Sequence, residues 1–247
     1  MSDLQMQFSC IYIAGMIHIS NLHVDYDGVA AVTQLHLRVE PGSIYALLGP
    51  NGAGKTTTVH SLLGFIAPRS GLIQIRGVAM KPGQRRESVA YIPENLMLYE
   101  SLSGLENLQY FISLTRVKRD DAELGRILSD AGLATEHHHK RVSAYSKGMR
   151  QKVGISIAIA ARASVLILDE PASGLDPRAA MELTIQLKSL AGTGVAILMT
   201  THDLFRAWEA ADTIGIMNEG RLVEERETSE ITMAELEALY LKTIQSS

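Results

Sequence analysis

Two stretches near the start of the chain alternate apolar and polar residues: Ile17, Ile19, Leu22 and Val24, then Val32, Leu35, Leu37 and Val39. Such alternation predicts half-exposed strands, and Asp27-Gly28 between them predicts that they run antiparallel through a tight turn. A different pattern follows at Ile44 to Leu48 (IYALL), an unbroken apolar run of the kind found in strands covered on both faces. Val165 to Leu168, Val195 to Met199 and Thr213 to Met217 repeat it. Helix-forming stretches at Thr56 to Phe65, Pro177 to Leu190 and Leu204 to Ala211 alternate with these runs, so the expected core is a mostly parallel α/β sheet covered by helices.

Between about Leu102 and Ala163 the strand-like runs stop, and leucine, isoleucine and charged residues recur at helical spacing. A helical subdomain is expected there. From Thr232 to Ile244, Met233, Leu236, Leu239 and Tyr240 recur at intervals of three and four, which predicts a terminal amphipathic helix. The expected organisation is an N-terminal extension over residues 1–15, with Met16 as an alternative start, a principal domain over 16–225 containing the helical part at 102–163, and a C-terminal helical tail over 226–247.

Composition narrows the function. Lys and Arg total 23 against 27 Asp and Glu, a net charge of -4 with the signs interleaved, so nucleic acid is not the expected partner. The one cysteine, Cys10, cannot form an internal disulfide, and the cytoplasm is the expected compartment. The best apolar runs, Phe8 to Ile17 and Val153 to Leu168 with Arg162 inside it, fall short of the roughly 20 residues that a membrane-spanning helix needs. Residues 1–15 carry Asp3 as their only charge, and without a basic start they make a poor signal peptide.

The chemistry gathers at two strand ends. IYALL runs into GPNGAGKTT, in which Gly49, Gly52, Gly54, Lys55 and Thr56 fit the phosphate-loop pattern G-x-x-x-x-G-K-[ST]. Glycines there let backbone N–H groups surround phosphate oxygens, the lysine neutralises the β and γ phosphates, and the threonine hydroxyl ligates Mg²⁺. The strand before the loop and the helix after it are the context that this motif requires. The second strand end is VLILDEPASGLDP. Two acids in such a place are also what a solvated turn carries, but a phosphate loop earlier in the chain favours Asp169 as a metal holder and Glu170 as the group that polarises the attacking water.

With these residues in view the chain resembles the nucleotide-binding subunit of ATP-binding cassette (ABC) transporters, over roughly residues 16 to 225. Gly49, Pro50, Asn51, Gly52, Ala53, Gly54, Lys55, Thr56 and Thr57 are similar to the family's Walker A loop, and LILDEP to its Walker B strand. SGLD, ending at Asp176, resembles the D-loop, and His202 in MTTHD the switch histidine. YSKGMRQK stands where the family carries its LSGGQ signature, with Ser146 and Gly148 kept, Lys147 in place of the first glycine and Met149 in place of the glutamine. YIPEN places Glu94 where most relatives have the Q-loop glutamine, an oxygen donor to metal or water that here adds negative charge. Both departures resemble the ATPases of ABC-2-type exporters. Tyr26 is a strand aromatic on its residues alone and resembles the family's adenine-stacking residue.

The resemblance implies a P-loop NTPase fold with an antiparallel β subdomain and a helical signature subdomain, with ATP and Mg²⁺ bound. It implies a sandwich of two nucleotide-binding subunits, alike or different, with Ser146, Lys147, Gly148 and Met149 facing the partner's ATP and Asp176 linking the two sites. It also implies a transmembrane permease as the partner that receives the work, which would place the chain on the cytoplasmic face of the membrane. A soluble ABC-type ATPase acting on ribosomes or DNA is a second reading, against which the charge balance weighs, and a module that binds ATP without turning it over is a third, suggested by Glu94 and opposed by the presence of Glu170 and His202. ENLMLYESLSGL, from Glu94 to Leu105, reads either as a permease docking surface or as a cover for the subdomain junction. The run His137, His138 and His139 reads as solvated, because consecutive side chains diverge.

Overall fold

The structure is a computed structural model and describes residues 16–81, 83, 84 and 88–245. Cys10 and the expected extension over 1–15 lie outside the described residues. Strands β1 (Ile17–Tyr26), β2 (Val29–Val39), β4 (Ser70–Ile75) and β5 (Val78–Ala79) form one sheet in the order β2-β1-β4-β5, with every pair antiparallel. The second sheet has the order β10-β9-β3-β8-β7-β6, from β3 (Ile44–Leu48), β6 (Val89–Ile92), β7 (Val165–Asp169), β8 (Ala196–Thr201), β9 (Thr213–Asn218) and β10 (Arg221–Glu227). Its pairs are parallel except β10 with β9, which is an antiparallel hairpin.

The three-residue step from Ile19 to Leu22 has a physical cause. Asn21 adopts φ 49° and the β1–β2 register shifts there, so a bulge returns Leu22 and Val24 to the face that Ile17 and Ile19 occupy. Gln34, at φ 49°, does the same in β2 between Val32 and Leu35. The apolar face so preserved packs on one side of the parallel sheet, where Tyr45, Leu47, Ile167 and Leu198 meet Ile17, Leu22, Val32 and Leu35. The other side, carrying Ile44, Ala46, Leu48, Leu166 and Met199, is covered by Leu183 and Leu187 of α5 (Pro177–Ala191), Ala207 of α6 (Leu204–Ala210) and Leu236 of α7 (Met233–Gln245). β3, β7 and β8 are buried along their whole lengths because both of their faces are covered.

Helices α2 (Gly104–Ser113), α3 (Asp121–Asp130) and α4 (Lys147–Ala160) share a separate apolar cluster centred on Leu108, Leu128, Val142 and Val153. Leu96 packs against both this cluster and the sheet's, and Gly154 makes room for it: a Cβ there would lie 2.8 Å from Leu96 Cδ2. One expected boundary is corrected. The helix after the phosphate loop, α1 (Lys55–Leu63), ends before Phe65, because Gly64 takes φ 79° and closes it in the left-handed conformation.

Candidate functional site

The phosphate loop leaves β3 at Leu48 and is held from three directions. Gly49 N–H donates to Thr201 O at 3.2 Å, and a Cβ on Gly49 would lie 2.2 Å from Met217 O. Gly54 takes φ 101°, and a Cβ there would lie 2.6 Å from Ala31 O. Both positions therefore exclude any side chain. The β9–β10 turn backs the loop: Gly220 N–H donates to Ala53 O at 3.0 Å, while Thr33 N–H of β2 donates to Gly220 O at 2.8 Å. No side chain caps the N-terminus of α1, whose N-cap is Gly54 itself.

The loop borders a cavity of about 220 Å³ lined by Ala31, Asn51, Gly52, Gly54, Lys55, Thr56, Thr57, Glu94, Asp169 and Glu170. Lys55 is 6% exposed, and its Nζ donates to Gly49 O at 2.7 Å and Pro50 O at 3.0 Å. Burial pulls its pKa down, and the Glu170 and Asp169 charges oppose that pull. Asp169, at the buried end of β7, accepts from the Thr56 hydroxyl at 3.4 Å and from the Thr200 hydroxyl. Its charge, after burial, helps push the Tyr91 phenol up to about 12. Glu170 places Oε1 3.8 Å from Lys55 Nζ, while Oε2 accepts from His202 Nδ1 at 2.9 Å and from His202 N–H at 3.3 Å. The Glu170 backbone sits at φ 47°, held by its N–H donating to Thr200 O at 3.2 Å. A non-glycine residue in that region costs about 1–3 kcal/mol and persists where the surroundings over-determine it.

The donor set fits a nucleoside triphosphate with a hard cation. An uncapped helix start and a buried ammonium suit phosphate, and the Thr56 hydroxyl beside the Asp169 carboxylate offers the oxygen pair that Mg²⁺ takes. Gly52, at φ 83°, adopts the left-handed conformation that glycine tolerates and other residues rarely do.

Other expected residues lie elsewhere. Ser146 caps α4, accepting from Met149 N–H at 3.3 Å, and Asp176 caps α5, accepting from Ala179 N–H at 2.9 Å. Ser146, Gly148, Met149 and Asp176 line a second cavity, of about 180 Å³, between α4 and α5, and none of them lines the first. Lys147 lines a third, of about 310 Å³, together with Glu94. Tyr26 ends β1 at 47% exposure and is not part of the phosphate-loop cavity's lining. The segment read as docking surface or junction cover divides between the two: Leu98 is buried and Leu96 packs inward, while Met97 and Tyr99 are exposed. The histidine run is corrected in part. His138 is buried with its ring nitrogen bonded to Leu133 O at 2.9 Å, because the turn over Thr135–His137 swings it under α3, whereas His139 is exposed. Among the described residues no group of three or more His, Cys, Asp or Glu side chains converges.

Sequence reasoning missed Ala31, Tyr91 and Thr200. Thr200 carried a faint signal as a hydroxyl ending an apolar strand beside the acid-bearing one. Ala31 and Tyr91 carried none.

A phosphate loop between β3 and α1, facing an acid pair at the end of a parallel strand, defines a P-loop NTPase. Comparison with known proteins refines that class. The sequence matches the ABC transporter family over residues 32–173, more than half of the chain. It is 38% identical to the bacitracin transport ATP-binding protein BcrA of Enterococcus faecalis, covering 87% of this chain and 70% of that protein. It is 32% identical to the lantibiotic transport ATP-binding protein SrtF of Streptococcus pyogenes, covering 86% and 91%. Among solved structures, cbiO1 of Clostridium perfringens, part of the ABC transporter complex cbiONQ, superimposes with a TM-score of 0.81 at 26% identity, covering 92% and 93%. The chain belongs to the ABC transporter family, and it is one of that family's ATP-binding, ATP-hydrolysing subunits. No described helix is long and apolar enough to cross a membrane.

Proposed function

We propose that the cavity at Lys55 hydrolyses Mg²⁺-bound ATP and that two cassettes, each completing the other's site, use this reaction to drive a membrane permease in export. The observation that carries the reading is the Glu170 carboxylate, held between the Lys55 ammonium and the His202 ring. In that place it accepts a hydrogen bond from a water and aims its oxygen at the γ-phosphorus; the new bond from that oxygen to phosphorus forms as the bond to the ADP oxygen breaks, and the water's protons leave on the inorganic phosphate. Lys55 and the open N–H groups of α1 hold the phosphates, and His202 keeps Glu170 aimed. Thr56 and Asp169 would hold Mg²⁺, which would supply charge neutralisation to the bound phosphates. Glu94, on the cavity wall, is a further oxygen donor toward the metal or the water.

Ser146 and Gly148 lie outside this cavity, which supports a second copy as the source of the opposing half-site. Ser146, Lys147, Gly148 and Met149 would close over the partner's γ-phosphate, Asp176 would join the two sites, and Tyr26 would stack on adenine. Export as the direction is supported by the bacitracin and lantibiotic transport relatives and by the Glu94 and Lys147 variants. Permease attachment would hold the chain at the cytoplasmic face of the membrane, with the exposed Met97 and Tyr99 as the docking candidates.

Glu170→Gln is expected to lower hydrolysis by about 10²- to 10³-fold, leave ATP binding intact and trap a dimer on gel filtration in ATP. Wild-type turnover in this variant would remove Glu170 from its role. The tagged variant, purified with ATP from detergent-solubilised host membranes, should bring a multi-spanning membrane protein with it. Ribosomal or DNA-bound partners in its place would overturn the transport reading.

A further inference from the structure

Two of the three residues that depart from the family pattern, Glu94 and Lys147, lie far apart in sequence but line the same cavity. Between them runs the turn that follows Glu170. On one side Ser173 Oγ donates to a Glu94 carboxylate oxygen at 3.0 Å. On the other, the Lys147 side chain lies along Gly174, with Nζ 3.7 Å and Cδ 3.8 Å from where a Cβ on Gly174 would stand. Gly174 takes φ 67°, and Ser173 N–H donates to Glu170 O at 3.1 Å, so the turn hangs directly from the strained Glu170 backbone. Lys147 is also oddly placed. It opens α4, where a cation works against the helix dipole, it is half-buried, and no carboxylate lies within 4 Å of its ammonium among the described residues. Glu94, which lines both this cavity and the phosphate-loop cavity, supplies the opposite charge across the groove.

We propose that Glu94 and Lys147 are paired positioning residues: together they clamp the Ser173–Gly174 turn and thereby hold Glu170 in its left-handed, catalytically aimed conformation. Each explains the other. A glutamine opposite Lys147 leaves the cation without a counter-charge, and a glycine opposite Glu94 leaves the turn gripped from one side only. This rests on the reading of Glu170 as the residue that orients water, and it assigns a role within one chain, independent of any contact that Lys147 makes across a dimer.

The test is a double-mutant cycle on steady-state ATP hydrolysis with Glu94→Gln, Lys147→Gln and the two combined. Each single change should lower kcat by about three- to tenfold with KM little changed, and the double variant should be no slower than the slower single. Ser173→Ala, which removes the hydroxyl link, should make the two substitutions independent. Multiplying effects, an unchanged kcat, or a loss confined to KM would overturn the clamp. Amide hydrogen exchange over residues 172–176 without nucleotide separates the clamp from the dimer interface. Exchange should quicken in each single variant and no further in the double, and unchanged exchange would overturn the proposal. Glu170→Gln run alongside identifies the other failure: if it hydrolyses ATP normally, the site reading itself falls, whereas if it is inactive while the cycle is additive, only the clamp falls.

Discussion

The two helix starts that the proposed reaction assigns to phosphate are built in opposite ways. α4 opens on a side-chain cap, Ser146 to Met149 N–H, as do α2 with a Ser103–Glu106 capping box, α3 with Asp120, α5 with Asp176 and α6 with Asp203. α1 opens on Gly54 and has no side-chain cap. Its first-turn residues line a cavity beside a lysine whose ammonium donates to backbone carbonyls. The signature helix is complete before a ligand arrives, whereas the phosphate-loop helix gains its cap when an anion binds. Binding energy should accordingly be concentrated at α1, and α4 should contribute mainly by closing over a ligand already held.

Lys55→Ala gives the largest expected difference between the two ends. Loss of a buried, charge-assisted contact of about 1.5–3 kcal/mol should weaken ATP binding by roughly 10- to 100-fold, read by nucleotide titration, while Ser146→Ala leaves monomer affinity nearly unchanged. Equal losses in both variants would erase the distinction. Next, ATP at about 100 times its wild-type Kd should add about 2.7 kcal/mol to wild-type stability, and in Lys55→Ala the same concentration should add only about 0.4–1.4 kcal/mol, with a correspondingly smaller rise in Tm. Ser146→Ala should instead lose about 1 kcal/mol without nucleotide, because its cap is intrinsic, and a Tm lower by roughly 2–4 °C would register it. The smallest effect is a pH dependence on the α4–α5 side. Lys152 and Arg178 hydrogen bonds hold the Glu182 carboxyl below its ordinary value. A lowered folded-state pKa contributes stability above the unfolded value, lost as pH falls through the folded one. Glu182→Gln should thus cost a few tenths of a kcal/mol at neutral pH and nothing in acid, measured by urea titration at both.

The same contrast explains what was legible in the sequence. Strands buried on both faces, β3, β7 and β8, announce themselves as unbroken apolar runs, and the loops at their ends carry residue types with little other use. β10 stayed hidden: it is an edge strand of alternating exposure, rich in charge, whose reason for being a strand is its partner β9. β4 and β6 were likewise unread, β4 starting with three exposed residues and β6 having only Ile92 fully buried. At the site, Lys55, Thr56, Asp169 and Glu170 could be named because motif spacing encodes them and the sheet brings them together. Thr200 and Tyr91 could not, since their proximity to Asp169 arises from the pairing of β7 with β8 and with β6, a relation that no local pattern expresses. The meeting of Glu94 with Lys147 in one groove was out of reach for the same reason.

The turn at Asn218, Glu219 and Gly220 also bears on how this protein is handled in the laboratory. A two-strand connection near the surface, with Glu219 exposed, looks like a convenient place for an epitope tag or a fluorescent fusion. Its next residue is bonded to Ala53 and to Thr33, so cargo inserted there would pull on the nucleotide cradle from behind. A reporter at that hairpin would perturb the event it was meant to follow.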